Sequence, residues 1–420
     1  MLFNLSIASL FSRKPMVFLT CFSIAISMLV LASVAHIETQ VRQNFERSVS
    51  GVDLIVGSRT SQLNLLLFSI FRLGNPSNNM AWQSFAELAS NKQVSWAVPI
   101  VLGDSHQGYA VVGTTLDYFE HVKFAQQDKL SLQEGKLFMH NKQLVLGATV
   151  ARDLGYQLQD EIVLSHGAGK VSFSQHKNHP FTIVGILNAT GTPMDRAIYM
   201  PIEAVDSLHS SGSSKQDSHA HGHEYDGVQE HHNHAEHPQA ISAALVGVNS
   251  KIALLSLQRI VSQNKTEPLT AILPNVALHE LWQMMSVVEL SLKVIAVLVL
   301  FASLIGMTTM LLASMRERQR ELSVLRALGA RPWVLIWLVE VEALLITLLG
   351  CILGYVFLSL GLTCLQPVLL HHYAFNIARF PEPLTFLGFT GLALGLAGML
   401  ALIPALLSYK KSLSGGLRFP

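Results

Sequence analysis

Four apolar runs, each long enough to cross a lipid bilayer, constrain this chain more than any other feature of its sequence. A hydrocarbon core about 30 Å thick is crossed by roughly 20 apolar residues in a helix. Residues 15–35, 291–313, 333–360 and 384–407 meet that length. The composition agrees: 50% of the residues are hydrophobic, 14% are charged, and the mean hydropathy is +0.38. The first run has a basic flank, Arg13 and Lys14, as a signal peptide would. Its apolar core exceeds the usual 7–15 residues, and no small-x-small cleavage site follows, so it reads as a retained anchor.

Lys and Arg near span ends orient a multi-span protein, because they are retained on the cytoplasmic side. Arg13 and Lys14 precede span one. Arg316, Arg318, Arg320, Arg326 and Arg331 lie between spans two and three, and Lys410, Lys411 and Arg418 follow span four. Four spans put all three clusters on one side. The expected layout is therefore a membrane protein with four transmembrane α-helices plus a large outer domain, α+β in its pattern, inserted between helices 1 and 2. Both termini are expected in the cytoplasm. Residues 1–14, with Leu2, Phe3, Leu5, Ile7, Leu10 and Phe11, read as an interfacial amphipathic helix. Residues 361–383 form a short outer loop, and 408–420 a cytoplasmic tail.

Some ionisable residues fall near the spans. Glu289 and Lys293 are spaced i,i+4 and are expected to pair on a helix that continues outward as a stalk. Glu340 and Glu342 lie two turns into span three. A carboxylate there is costly. It marks either a proton or cation path, or a snorkelling or Arg-paired group near the cytoplasmic boundary. One acidic cluster does not make a translocation route.

Residues 36–288 alternate strand-like and helix-like stretches. Strands are expected at 94–102, 109–113, 143–146, 161–164, 171–173 and 181–187. Helices are expected at 81–89, 148–155 and 252–263, the last with a stripe of Ile252, Leu255, Leu257 and Ile260. The domain is large enough for two modest cores, one from the segments flanking the spans and one from the middle.

Residues 207–239 are of low complexity and hold eight of the 18 histidines. His219, His221, His223, His231, His232 and His234 stand among carboxylates, a donor set suited to Zn²⁺. The spacing matches no defined structural zinc site. Two readings stay open: a zinc-linked role, or a surface insertion that binds metal weakly and incidentally.

Other chemistry is poorly represented. Cys21, Cys351 and Cys364 are the three cysteines, and none lies in the outer domain, which excludes a disulfide-built fold. Gly167, Gly169 and Lys170 superficially suggest a phosphate loop. Leu164 stands where its first Gly is needed, and Val171 where Ser or Thr is needed. There is no G-x-S-x-G, H-E-x-x-H or C-x-x-C, so an enzyme is not expected. The net charge of +1 predicts no nucleic-acid partner.

The most informative stretch is 315–354, MRERQRELSVLRALGARPWVLIWLVEVEALLITLLGCILG. It opens as a charged amphipathic helix, 315–332, with Leu322, Leu325 and Leu328 on one side. Gly329 can end it, and Pro332 lets span three begin. Residues Glu317 to Ala330 follow the pattern E-R-x-R-E-[IL]-x-[VT]-L-R-A-[LI]-G-A. This resembles the FtsX/MacB-type permeases of ATP-binding-cassette systems. The outer domain resembles the MacB-type periplasmic core through Gly135-Lys136, 145–148, Asp153-Leu154-Gly155, Asp160, 181–187, Asp195 and 198–201. The tail from Pro404-Ala405 to Leu417-Arg418 fits the family's closing pattern, and the His-rich segment looks like an insertion.

The resemblance implies a permease subunit of the bacterial inner membrane, acting with a second permease copy and a cytoplasmic ATPase partner that binds the ATP. Glu317, Arg318, Arg320, Glu321, Arg326 and Gly329 would couple to that partner; as an alternative, the basic residues only fix topology. ATP-driven motion would then reach the periplasmic domain and act on periplasmic, lipid or lipoprotein cargo, with an adaptor or cargo protein as a further partner. The alternative is a non-transporting scaffold that regulates periplasmic enzymes such as murein hydrolases. Nothing implies a cofactor on this chain beyond zinc in the His-rich loop.

Overall fold

The computed structural model describes residues 14–125, 127–166, 174–175, 180–205, 238–317, 332–373 and 377–414. They divide into a helical unit and a soluble α+β unit.

The four apolar runs of the helical unit each lie within a single helix: Lys14–Ser48, Pro274–Glu317, Pro332–Tyr373 and Pro383–Ser414; residues 42–48 of the first, 274–284 of the second and 368–373 of the third belong to the α+β unit. All four are long and apolar enough to cross a membrane. At 1.5 Å per residue the second, of 44 residues, is about 66 Å long, twice the depth of the hydrocarbon core. The third continues past residue 360 to Tyr373 with Pro367 inside it.

One residue per turn from each helix builds the bundle core. The first helix gives Cys21, Ile24, Met28 and Leu31, and the second Ala296, Leu300, Leu304, Met307 and Leu311. The fourth gives Ala393, Ala397, Ala401 and Ala405, a stripe of small residues at strict four-residue spacing that permits close helix approach. Where the first and third helices meet, glycine is required. A Cβ on Gly350 would lie 2.7 Å from Ile24, and one on Gly354 would lie 2.9 Å from the Ala25 carbonyl oxygen. Hydroxyls add a polar tie, with Ser27 and Ser303 Oγ atoms 2.6 Å apart.

The expected pair of Glu289 and Lys293 is corrected here. Lys293 Nζ bonds Glu38 Oε2 on the first helix at 2.6 Å. A partner across the helix interface can approach end-on, whereas an i,i+4 partner must share its own helix face.

The soluble unit is built on a mixed sheet. Its strands are β1 (Leu54–Ser58), β2 (Val94–His106), β3 (Tyr109–Thr114), β4 (Leu132–Gly135), β5 (Gln143–Leu146), β6 (Phe181–Leu187), β7 (Ala197–Pro201), β8 (Ala243–Val248) and β9 (Leu269–Ile272). Their order is β9-β1-β8-β2-β3-β7-β5-β6-β4. β6 pairs parallel to β5, and β7 parallel to β3. β2 is the hinge of the architecture: its first half pairs with β8, and its second half with β3. One sheet path and one hydrophobic cluster thus run through segments expected to form two cores. The strands nearest the spans in sequence (β1, β8, β9) occupy one end, and the middle of the domain the other.

Helices that pack on this sheet include α1 (Gln62–Ser69), α2 (Trp82–Ala89), α3 (Ala148–Leu154) and α4 (Lys251–Ser262). In α4 the expected stripe is mis-phased. Leu257 and Val261 are buried and Leu254 packs against the core, while Ile252 and Leu255 are 87% and 65% exposed. At 100° per residue Leu257 lies about 140° round from Ile252, so one packed face cannot hold both.

Candidate functional site

The residues that carry the family resemblance in the soluble unit turn out to hold backbone close to backbone. Gly135 has φ 81°, and a Cβ there would lie 2.1 Å from the Val184 carbonyl oxygen. A Cβ on Gly185 would lie 2.4 Å from the Lys136 carbonyl oxygen. These two glycines let β6 pair with β4 while Lys136 N–H donates to Val184 O at 2.9 Å. Gly155 caps α3 in the left-handed region, φ 71°. Asp160 accepts from the Gln157 N–H at 2.7 Å.

Asp195 is the most densely bonded of them. It is 2% exposed, and its carboxylate accepts from Thr190 N–H, Thr190 Oγ1 and Gly191 N–H at 2.7–3.0 Å. Burial pushes its pKa above the ordinary aspartate value, and the three donors oppose that shift. Its own carbonyl lies against Gly147, where a Cβ would approach to 2.4 Å. Tyr199, fully buried, donates to the Met194 carbonyl at 3.1 Å and fixes the far side of the same loop. None of these residues faces an open site; they define the domain.

Among the described residues, open space gathers elsewhere, in a cavity of about 470 Å³. Its apolar wall includes Phe45 and Phe71, whose rings lie 4.5 Å apart, with Leu73, Leu102 and Val111. Its polar wall carries Arg72, Asp104, Tyr109 and Arg196. The Arg196 guanidinium sits over the Tyr109 ring at 5.2 Å, and Tyr109 donates to Asp153 at 2.9 Å. Burial first, then the Asp153 carboxylate, raises the Tyr109 pKa. Arg72 follows α1, where Leu73 N–H closes on the Leu67 carbonyl. It is held at φ 59°, in the left-handed region. Its guanidinium donates to Ser69 O and to Tyr118 Oη. Its Nε is buried without a hydrogen bond. Sequence reasoning missed this cavity: its lining comes from five separate segments, and no spacing marks it.

The residues singled out from the sequence are placed as follows. Glu317 is the last residue of the second membrane helix. Arg318, Arg320, Glu321, Arg326 and Gly329 lie outside the described residues, as do His219, His221, His223, His231, His232 and His234. So do most of the interfacial segment 1–14, the strand at 171–173, Gly167, Gly169 and Lys170, and the end of the tail. Glu342 is buried, and Glu340 approaches Gly398 on the fourth helix. Cys21 and Cys351 are buried in the bundle, and Cys364 is exposed. One group among the described residues has metal-ligating atoms close together, Asp117, Glu120 and His121. It is largely exposed, and His121 is occupied in stacking flat on Trp96.

Comparison with known proteins agrees with this architecture. The MacB-like periplasmic core domain family matches residues 17–230, and the FtsX-like permease C-terminal family matches 293–413. A similar solved structure is the periplasmic region of MacB from Actinobacillus actinomycetemcomitans, 12% identical. That alignment covers 57% of this chain and 95% of the other, with a TM-score of 0.35. Another is the extracellular domain of the noncanonic ABC-type transporter YknZ from Gram-positive bacteria, 13% identical. It covers 53% of this chain and 98% of the other, with a TM-score of 0.30. No curated protein matches the chain.

Four apolar helices with an α+β domain between the first two define a transmembrane subunit of the ABC type. Within that class, the chain belongs to the FtsX/MacB-type permeases.

Proposed function

We propose that this chain is the permease of an ATP-driven machine whose ATPase is a separate cytoplasmic subunit. In this reading ATP hydrolysis moves the membrane helices, and the helices move a periplasmic domain that acts on periplasmic, lipid or lipoprotein cargo. The observation that carries it is the FtsX-like match over 293–413, which contains the charged signature at Glu317 to Ala330. Arg318, Arg320, Glu321 and Arg326 are the docking residues for the ATPase, with Glu317 and Gly329 bounding the handle. Placement of the chain in the inner membrane with both termini cytoplasmic follows from the Lys and Arg distribution. A second copy of the chain completes the permease.

The test is co-purification of the membrane-embedded chain with its ATPase, followed by ATP turnover. Arg326→Glu should abolish capture of the ATPase and reduce permease-stimulated turnover at least tenfold, with the chain still inserted. Capture and turnover unchanged by that charge reversal would refute the docking role. Cargo retained on the complex supports extraction or export; a hydrolase retained and activated without cargo movement supports a regulatory scaffold instead.

We further propose that His219, His221, His223, His231, His232 and His234 bind Zn²⁺ and tune the machine to it. Support comes from eight histidines and interspersed carboxylates in one short segment. Deletion of residues 207–239 should then remove zinc dependence of permease-stimulated ATP turnover. Identical zinc titrations for the native and deleted chains would refute it.

A further inference from the structure

Just before the first helix passes into the α+β unit, it grips a distant piece of backbone. His36 and Gln40 stand one turn apart on that helix and both reach a single residue, Ala378, in the connection between the third and fourth helices. His36 Nε2 lies 3.1 Å from the Ala378 carbonyl oxygen, and Gln40 Oε1 accepts from the Ala378 N–H at 2.9 Å. A carbonyl oxygen can only accept, so Nε2 carries a proton. Both polar groups of one residue are thus held, as a neighbouring strand would hold them. The i,i+4 spacing puts the two gripping side chains on one helix face. The side chain of Ala378 takes no part.

The burial is one-sided. Ala378 is exposed, so water can answer its backbone without the first helix. His36 is 6% exposed, a polar ring withdrawn from water where it makes this bond. Two further ties extend the grip within the helical unit. Arg379 Nε donates to Gln366 Oε1 on the third helix at 2.6 Å. On the other side, Glu38 holds Lys293 of the second helix. Glu38 lies about 200° round the first helix from His36. That helix therefore binds the second helix with one face and the connection with the opposite face. The third helix is joined to the second, at this end, through the first.

This joint lies on the path that the ATPase reading requires. The charged signature stands between the second and third helices, and the α+β unit is inserted after the first. We propose that His36 and Gln40 are positioning residues of the permease: their grip on Ala378 makes the first helix follow the third and fourth when the ATPase turns over. This role rests on the ATPase reading above.

The experiment uses the full chain in nanodiscs with its captured ATPase, and measures capture and permease-stimulated ATP turnover separately. His36→Ala and Gln40→Leu should each leave capture intact and lower stimulated turnover roughly 2- to 10-fold, the equivalent of one hydrogen bond. His36→Gln, whose amide still donates, and Gln40→Glu, whose carboxylate still accepts, should restore most of it. Ala378→Ser changes only the side chain and should behave as the native chain. Amide exchange of the peptide containing Ala378 should quicken with Gln40→Leu and stay slow with Gln40→Glu. Thermal unfolding checks each fold; if His36→Ala fails to fold, the two Gln40 variants decide. Undiminished turnover in the folded His36→Ala and Gln40→Leu chains, conservative variants as impaired as these, or unaltered amide exchange would each overturn the role. A native chain that captures and stimulates no ATPase overturns the ATPase reading and this role with it. Native stimulation with insensitive variants overturns this role alone.

Discussion

Asp195 illustrates how much a single buried carboxylate can organise. Its oxygens take three donors from Thr190 and Gly191, and an amide in its place would turn an NH₂ toward some of them. Asp195→Asn is expected to destabilise the soluble unit by about 2–3 kcal/mol, the scale of a lost hydrogen bond to a charged group. Denaturant unfolding followed by tryptophan fluorescence measures it. His106 makes a second residue-scale case. It is 8% exposed, with Nδ1 2.7 Å from the Val163 carbonyl and Nε2 2.9 Å from Tyr156 Oη. The carbonyl can only accept, so Nδ1 carries the proton and Nε2 accepts from the tyrosine. Burial lowers the His106 pKa, with the Val163 bond opposing. A depressed folded-state value means that stability is full above about pH 6.5 and declines as pH falls through the folded value. His106→Gln should flatten that decline, read from midpoints of unfolding between neutral and mildly acidic pH. The glycines were legible as part of a family pattern, but their purpose was not. That Gly147 must lack a Cβ follows only from where Asp195's backbone passes.

Elements succeed or fail on their phase. β5 and β6 stand at 143–146 and 181–187, where short apolar runs bounded by polar and turn residues predicted them. Such runs are legible because both faces of these strands are buried. β2 extends beyond its expected end because its second half takes a new partner, β3, which composition does not announce. α4 existed as expected but with a different face inward. Leu257→Ala should cost about 2–5 kcal/mol, and Ile252→Ala almost nothing, since only the first leaves a cavity. Paired unfolding curves distinguish this from the stripe read from sequence. The membrane helices make the same point through size. Gly350 and Gly354 form G-x-x-x-G, and their contact with Ile24 and Ala25 shows what the spacing serves. Gly354→Leu should separate the first and third helices and lower the thermal midpoint of the detergent-solubilised chain by several degrees.

At the scale of the whole molecule, the chain divides into a unit of apolar helices long enough to cross a membrane and an α+β unit. The His-rich segment joins residues on either side of it that are themselves well packed, Val205 and Ile241 both being buried. Its composition offers little apolar area to any core. Deleting residues 207–239 is therefore expected to change the unfolding midpoint of the full chain by less than about 1 kcal/mol equivalent, whatever it does to zinc response. A large loss of stability would mean that the segment packs against the domain.

The sequence by itself determined the four helices, the inserted α+β domain and the family. Span length, Lys and Arg placement and a contiguous signature are local properties, and the bilayer imposes them locally. Tertiary structure alone decided which face of α4 is buried, that Lys293 pairs with Glu38, and that Phe45, Phe71, Arg72 and Arg196 line one cavity. Those outcomes depend on distances between segments far apart in the chain, set by packing that no run of neighbouring residues encodes.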